Sequence, residues 1–273
     1  MGQSKKDYAQ QAKERRRQIE QEEAAKRKRQ NKLVLGTVAG ALAILLIVVG
    51  IIFATRPKES SAPADDTTTS GAPKAEDIDM TPLAGDPLDY QPTETETDLV
   101  RMTVSYTTQG GEKQQGDIYI RLFPDVAPIT VANFRSLVAS GFYNGLTFHR
   151  IMPGFVIQGG DPDGDGTGGS GTNIKGEFSA NGVENNLSHT RGVFSMARGS
   201  YSMDSASSQF FIVLDDSAIY SLDGSYASFG YVVSGMETVD AIAAVELITV
   251  SSQSKKPVYP VTIESAVFVT KNS

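Results

Sequence analysis

Cysteine and tryptophan are missing from all 273 residues, and histidine occurs only twice, as His149 and His189. No cysteine means no disulfide, no thiolate metal site, no thiol nucleophile and no lipid carried on sulfur. Two histidines cannot build a His-rich metal centre. Serine hydrolysis needs a histidine between nucleophile and acid, and no serine here sits in a G-x-S-x-G turn. Composition alone leaves paired-carboxylate hydrolysis open, but no acidic pair is flanked by an apolar–aromatic stretch able to desolvate one member. Lys and Arg number 25 against 32 Asp and Glu, a net charge of −7. The imbalance is uneven, because residues 1–32 hold 11 basic and 5 acidic side chains. The remaining body is acidic, which argues against nucleic acid as a partner, since that affinity comes mostly from neutralising phosphates.

What the chain does contain begins with one long uncharged run, Leu33 to Ala54, 22 residues. As a helix it measures about 33 Å against about 30 Å of bilayer hydrocarbon. A cleaved signal peptide fits less well, because its charged leader and apolar core are both too long. The run is therefore expected to be a single transmembrane helix in contact with the lipid bilayer. The basic cluster Lys26-Arg27-Lys28-Arg29 precedes it and only Arg56 and Lys58 follow closely. The positive-inside rule then keeps residues 1–32, a basic helical segment, in the cytoplasm and exports the rest. The expected location is the cell membrane, single-pass, with the C-terminal domain outside the cytoplasm.

Residues 55–97 hold six of the twelve prolines and ten acidic residues, with few large apolar side chains. That composition is expected to form a disordered linker, with docking of the few apolar residues of Ile78–Tyr90 on the next domain left open. Residues 98–273 are numerous enough for one buried core. Their apolar pattern is short-period, as in Met102–Tyr106 and Asp117–Leu122, and further short apolar runs are separated by Gly, Asp, Asn and Ser. Ile129–Ser140 and Met236–Ala244 instead carry apolar residues on one helical face. Many strands and two helices predict a mainly β domain, a closed antiparallel barrel with helices as covers.

Two local motifs carry less than their spacing suggests. Asp161-Pro162-Asp163-Gly164-Asp165-Gly166 opens like a calcium loop, but the twelfth position is Thr172 instead of a bidentate Glu. Gly164, Gly166 and Gly169 match G-x-G-x-x-G, yet three aspartates beside them would repel a pyrophosphate. A solvated acidic turn accounts for both. Phe148-His149-Arg150-Ile151-Met152-Pro153-Gly154-Phe155-Val156-Ile157-Gln158-Gly159-Gly160-Asp161 is richer in chemistry. It predicts two short strands joined at Pro153-Gly154, with Phe148 and Arg150 on one side by two-residue alternation. An arginine beside aromatic and amide side chains suits binding a carbonyl. A core hairpin with Arg150 in an ion pair is the structural alternative.

These residues resemble the F-H-R-x-x-x-G-F-x-x-Q-G-G-D signature of the cyclophilin-type peptidyl-prolyl cis–trans isomerases. Gly141–Gly145, Ser195–Arg198 with Asp204–Ile212, and Leu222-Asp223-Gly224 with Phe229-Gly230 resemble further family segments in the same order. The resemblance spans essentially all of 98–273. It implies an eight-stranded barrel capped by two helices and an enzyme that rotates X–Pro bonds in proline-containing polypeptides without a cofactor or metal; a monomer is expected, and the export expected from the anchor would direct it to exported proteins. It implies Arg150, Phe155 and Gln158 as catalytic residues. Val156, Met196, Phe211, Leu222 and Tyr226 would line a proline pocket, Ala197 and Arg198 would meet the peptide mainly through their backbone, and Gln209 would border the groove. The sequence departs from the family in two places. The frequent indole before Leu-Asp-Gly is replaced in the region of Tyr220 and Ser221, and the pocket histidine of many members becomes Tyr226. Both changes argue against tight cyclosporin binding. A tethered peptide-binding chaperone using the same groove with little turnover is the alternative function, and a barrel serving only as an envelope spacer is a third.

Overall fold

The computed structural model describes residues 6–26, 28 and 72–272. The chain divides into a large unit, Met1–Ala12 with Gly71–Ser273, and a small one, Lys13–Ser70. A helix, α1, covers 6–26 and is charged throughout. No helix among the described residues is long and apolar enough to cross a membrane. The expected span, 33–54, lies outside the described residues.

The large unit is built on antiparallel strands: β1 (Tyr90–Pro92), β2 (Leu99–Thr107), β3 (Lys113–Leu122), β4 (Arg150–Met152), β5 (Val156–Gly159), β6 (Val193–Met196), β7 (Phe210–Val213), β8 (Ala227–Ser234), β9 (Leu247–Ser251), β10 (Ser254–Pro257) and β11 (Thr262–Lys271). Nine of them form one sheet in the order β1-β11-β2-β3-β8-β6-β7-β5-β4, and β9 pairs with β10 alone. The mainly β expectation fits, but the closed eight-stranded barrel does not. The sheet is open, because its edge strands β1 and β4 do not pair. Before β4, residues 141–145 form turns and no strand follows them: Thr147 makes only isolated bridges, to Asp161 and to Thr262 at the start of β11. The far end of β11 is taken by β1 instead.

Two helices cover the sheet as their periodicity predicts, α2 (Pro128–Ala139) and, beyond the one-turn α3 (Ile219–Leu222), α4 (Met236–Ala243). α2 has no capping side chain of its own. The buried Glu177 carboxylate does that work, accepting from Ile129 N at 3.0 Å and Thr130 N at 2.7 Å, where the helix dipole favours negative charge. Phe134 of α2 is fully buried against the rings of Tyr143, Phe194 and Phe229, with centroids 5.1–5.3 Å apart. That aromatic knot fixes the helix on the sheet.

The disordered linker expected over 55–97 is corrected in its second half. β1 pairs with β11, Tyr90 is buried, and Leu83 donates its backbone N–H to Val233 O at 2.9 Å. Arg121 of β3 meets Asp79 at 2.8 Å and donates to the Asp79 and Thr81 carbonyls. Few large apolar residues suffice here, because the segment adds an edge to an existing sheet and needs no core of its own.

Candidate active site

Register places the site residues in one row across five strands. Arg150 of β4 lies opposite Gln158 of β5, Gln158 opposite Phe211 of β7, Phe211 opposite Ser195 of β6, and Ser195 opposite Ser228 of β8. Directly opposed residues share a face of the sheet, and residues two apart share it too. Val156, Gln209 and Ala197 therefore belong to this face, while Ile157, Phe210 and Phe194 point into the core.

Two expectations are corrected. Met196 is one residue from Ser195, so its side chain is buried in the central core and not in the pocket wall. Phe148 does not share a side with Arg150: it is fully buried against Phe210, because β4 begins only at Arg150 and the alternation does not extend back through the turn.

Apolar residues of the outer face form their own cluster. Val156, Phe211 and Leu222 are among its buried members, and Phe155, Ala197 and Tyr226 pack against it half-buried. Phe211 meets Tyr226 edge to face at 5.7 Å and lies parallel to the His189 ring at 6.0 Å. His189 was visible in the sequence only as an unassigned histidine. It is buried, with Nδ1 2.7 Å from Asp223 Oδ1 and Nε2 2.9 Å from Ser195 Oγ. Burial lowers its pKa from the ordinary histidine value, opposed by its hydrogen bond to Asp223. The neutral ring, protonated at Nδ1, donates to Asp223 and accepts from Ser195. The arrangement resembles a hydrolytic triad, but Ser195 is completely buried and no substrate carbonyl can reach it.

Arg150 is held at the border of this apolar wall. Its Nε donates to Gln253 O at 2.9 Å and its Nη1 to Gln158 Oε1 at 3.2 Å. Gln158 Nε2 donates to Gln209 Oε1 at 2.9 Å, and Gln209 Nε2 donates to Gly166 O and Gly168 O at 3.1 and 2.8 Å. Asp161 shapes that glycine loop by accepting from the backbone N–H groups of Asp163, Asp165 and Gly166. The acidic turn is thus a rigid backstop for Gln209. Burial lowers the Arg150 pKa from the ordinary arginine value, and the nearby Tyr226 raises it in part. Starting so high, the guanidinium stays charged at neutral pH. No ion pair occupies it among the described residues. The ion-paired core hairpin is therefore not what forms, and a fixed cation faces a greasy wall.

Arg198 contributes more than backbone. Its guanidinium lies over the rings of Phe178 and Tyr226, 5.2 and 5.0 Å from their centroids, while Nε donates to Ser225 O and Nη1 to Gly199 O. Among the described residues no group of three or more metal-ligating side chains converges.

Residues 103–268 match the family described as cyclophilin type peptidyl-prolyl cis-trans isomerase/CLD. The chain is 42% identical over 163 residues to peptidyl-prolyl cis-trans isomerase A of Dickeya dadantii, covering 57% of this chain and 81% of that protein. It is 48% identical over 120 residues to peptidyl-prolyl cis-trans isomerase B of Bacillus subtilis, covering 44% and 78%. A crystal structure of a cyclophilin type peptidyl-prolyl cis-trans isomerase from Cryptosporidium parvum superposes with a TM-score of 0.53 at 32% identity, covering 64% of this chain and 99% of that one. The same protein in the presence of the dipeptide Ala-Pro gives a TM-score of 0.52.

Proposed function

The chain belongs to the cyclophilin-type peptidyl-prolyl cis–trans isomerase family and is an enzyme of that class; from this premise we propose that Arg150 drives rotation of the X–Pro bond by stabilising the twisted imide. Imide resonance imposes a barrier of about 18–20 kcal/mol and exchange times of tens to hundreds of seconds. In the twisted state the proline nitrogen regains its lone pair and the C–N bond loses double-bond character. A guanidinium beside that nitrogen stabilises this electron distribution more than the planar one, and only such differential binding raises the rate. The wall of Phe155, Val156, Phe211, Leu222 and Tyr226 takes the pyrrolidine ring, and Gln158 holds the peptide backbone so that one end turns while the other stays fixed. Lowering the barrier by about 7 kcal/mol gives roughly 10⁵-fold acceleration.

The observation that carries this reading is the double tether of Arg150, to Gln253 O and Gln158 Oε1, at the edge of the apolar cluster. A preorganised cation need not reorient as the imide twists. Arg150→Ala in the full chain is expected to remove most turnover of an Ala-Pro peptide while leaving the circular-dichroism spectrum unchanged. Near-normal turnover in a protease-coupled or NMR exchange assay overturns the assignment.

Membrane association and action on exported proteins belong to the same reading. Their support is the uncharged run 33–54 and the basic residues before it. The contacts of Tyr8 stand against export of the domain: its ring stacks on Tyr259 at 5.4 Å and its hydroxyl donates to Thr108 O at 3.1 Å and Glu246 Oε2 at 3.3 Å, which requires all of them on one side of a bilayer. The cysteine-free chain allows a direct test with Ser4→Cys and Thr270→Cys. A membrane-impermeant maleimide that labels Thr270→Cys but not Ser4→Cys on intact cells supports export, and the reverse or equal protection refutes it.

A further inference from the structure

Among the described residues three arginines of the large unit pair with carboxylates, while Arg101, Arg150 and Arg198 make no such pair. Arg121, Arg135 and Arg191 each pair with a carboxylate, Asp79, Asp98 and Asp240. Arg198, in the same acid-rich unit, has none: its partners are two backbone carbonyls and two ring faces, and Nη2 makes no hydrogen bond among the described residues. Ring faces and neutral carbonyls orient a guanidinium without cancelling its charge. Its position follows from the chain. Arg198 comes two residues after the last residue of β6, directly after Ala197, whose N–H is held by Gln209 O at 2.8 Å, and Gln209 belongs to the Arg150 network. Tyr226, whose face carries Arg198, also closes the apolar wall by its edge contact with Phe211. An uncancelled, immobilised cation therefore lies at the rim of the pocket, across Tyr226 from the proline-binding wall.

We propose that Arg198 is a specificity-determining residue that selects substrates carrying an acidic side chain next to the X–Pro pair. The proposal rests on the reading that this groove binds X–Pro peptides. A substrate carboxylate reaching Nη2 gains a charge-assisted hydrogen bond to a donor whose ordering is already complete. A substrate lysine in the same place meets a fixed like charge.

The test uses Ala-Pro peptides with Glu, Gln or Lys substituted in turn at each position flanking the dipeptide, assayed with the full chain. At one position kcat/KM is expected to be about three- to fivefold higher for Glu than for Lys at low ionic strength, the scale of a partly exposed ion pair. Added salt shrinks that ratio, because exposed charges are screened. Arg198→Gln is expected to bring the Glu-to-Lys ratio to about one, whereas Arg198→Lys keeps it above one. Taking a ratio within each variant cancels any general loss of activity from disturbing Tyr226. A wild-type ratio near one at every position overturns the proposal, as does a ratio that survives Arg198→Gln. If the wild type turns over no Ala-Pro peptide at all, the parent reading of the groove fails instead, and the two failures are distinct.

Discussion

Gln253 holds Arg150 through its backbone carbonyl, 2.9 Å from Nε and 103 positions away along the chain. The carbonyl belongs to the turn between β9 and β10, a two-stranded ribbon outside the main sheet. Because the acceptor is main chain, the glutamine side chain is incidental. Gln253→Ala is expected to leave kcat near wild type. Deleting Ser252 and Gln253 removes the acceptor, and misplacement of the guanidinium is expected to lower kcat by about tenfold or more. Thermal melts of the two variants, run beside the peptide assay, check that the loss is not unfolding.

The chain of amides from Arg150 through Gln158 and Gln209 to the glycine loop acts as one unit. Gln158→Leu and Gln209→Leu are each expected to lower kcat/KM. The double variant should lose less than the two single losses together, with a coupling of about 1 kcal/mol. A double-mutant cycle measures it, and strict additivity would show that Gln209 does not act through Gln158.

His149 is 6% exposed and neither ring nitrogen has a hydrogen-bond partner among the described residues. Burial pulls its pKa from 6.5 down to about 4, against the pull of Asp161. The unfolded chain therefore binds a proton that the native state resists. The stability contributed by the neutral ring is complete above about pH 6.5 and is lost as pH falls towards about 4, on the order of 3 kcal/mol across that window. His149→Phe removes this titration. Urea midpoints measured near neutral pH and near pH 4.5 should lie closer together in the variant; an unchanged gap would contradict the prediction. His189 shifts the same way and leaves some acid sensitivity in place.

Residues 72–97 are tied to the sheet by β1, by Leu83 N to Val233 O, by Tyr119 Oη to Pro87 O at 3.1 Å and by the Asp79–Arg121 pair. A protein starting at residue 98 exposes the Tyr90 site and an extra sheet edge. It is expected to be less stable than one starting at residue 72 by at least about 2 kcal/mol, the scale of one buried large side chain. Equal urea midpoints for the two proteins would show that the segment is only a tether.

Much of the fold was legible because it is local. Alternation marks β2 and β3, short apolar runs between turn residues mark β6 and β8, the 3.6-residue period marks α2 and α4, and Pro153-Gly154 marks the hairpin that sets Arg150 opposite Gln158. The misses have equally physical causes. The family resemblance puts Met196 in the pocket wall, but the pleat turns it to the face opposite its neighbours Ser195 and Ala197. β10, Ser-Lys-Lys-Pro, carries no large apolar residue to signal a strand, and its partner β9 is a short apolar run with no motif beside it to set it apart. Closure failed because whether two edges meet depends on how the chain turns before β4, which no strand pattern records.

The sequence by itself determined which residues can do chemistry here: one arginine in a hairpin with aromatic and amide neighbours, and an acidic glycine turn beside it. These are short-range patterns, and backbone stereochemistry converts them into neighbours without help from the rest of the chain. Only the tertiary structure decided what holds those residues still. The carbonyl of Gln253 on Arg150, the carboxylate of Glu177 on α2, the two rings around Arg198 and the Asp223–His189 pair behind Phe211 all join segments distant in sequence. Main-chain carbonyls are the same in every residue, and ring faces leave no periodic mark. Their role as partners exists only once folding has brought them within hydrogen-bonding or stacking distance.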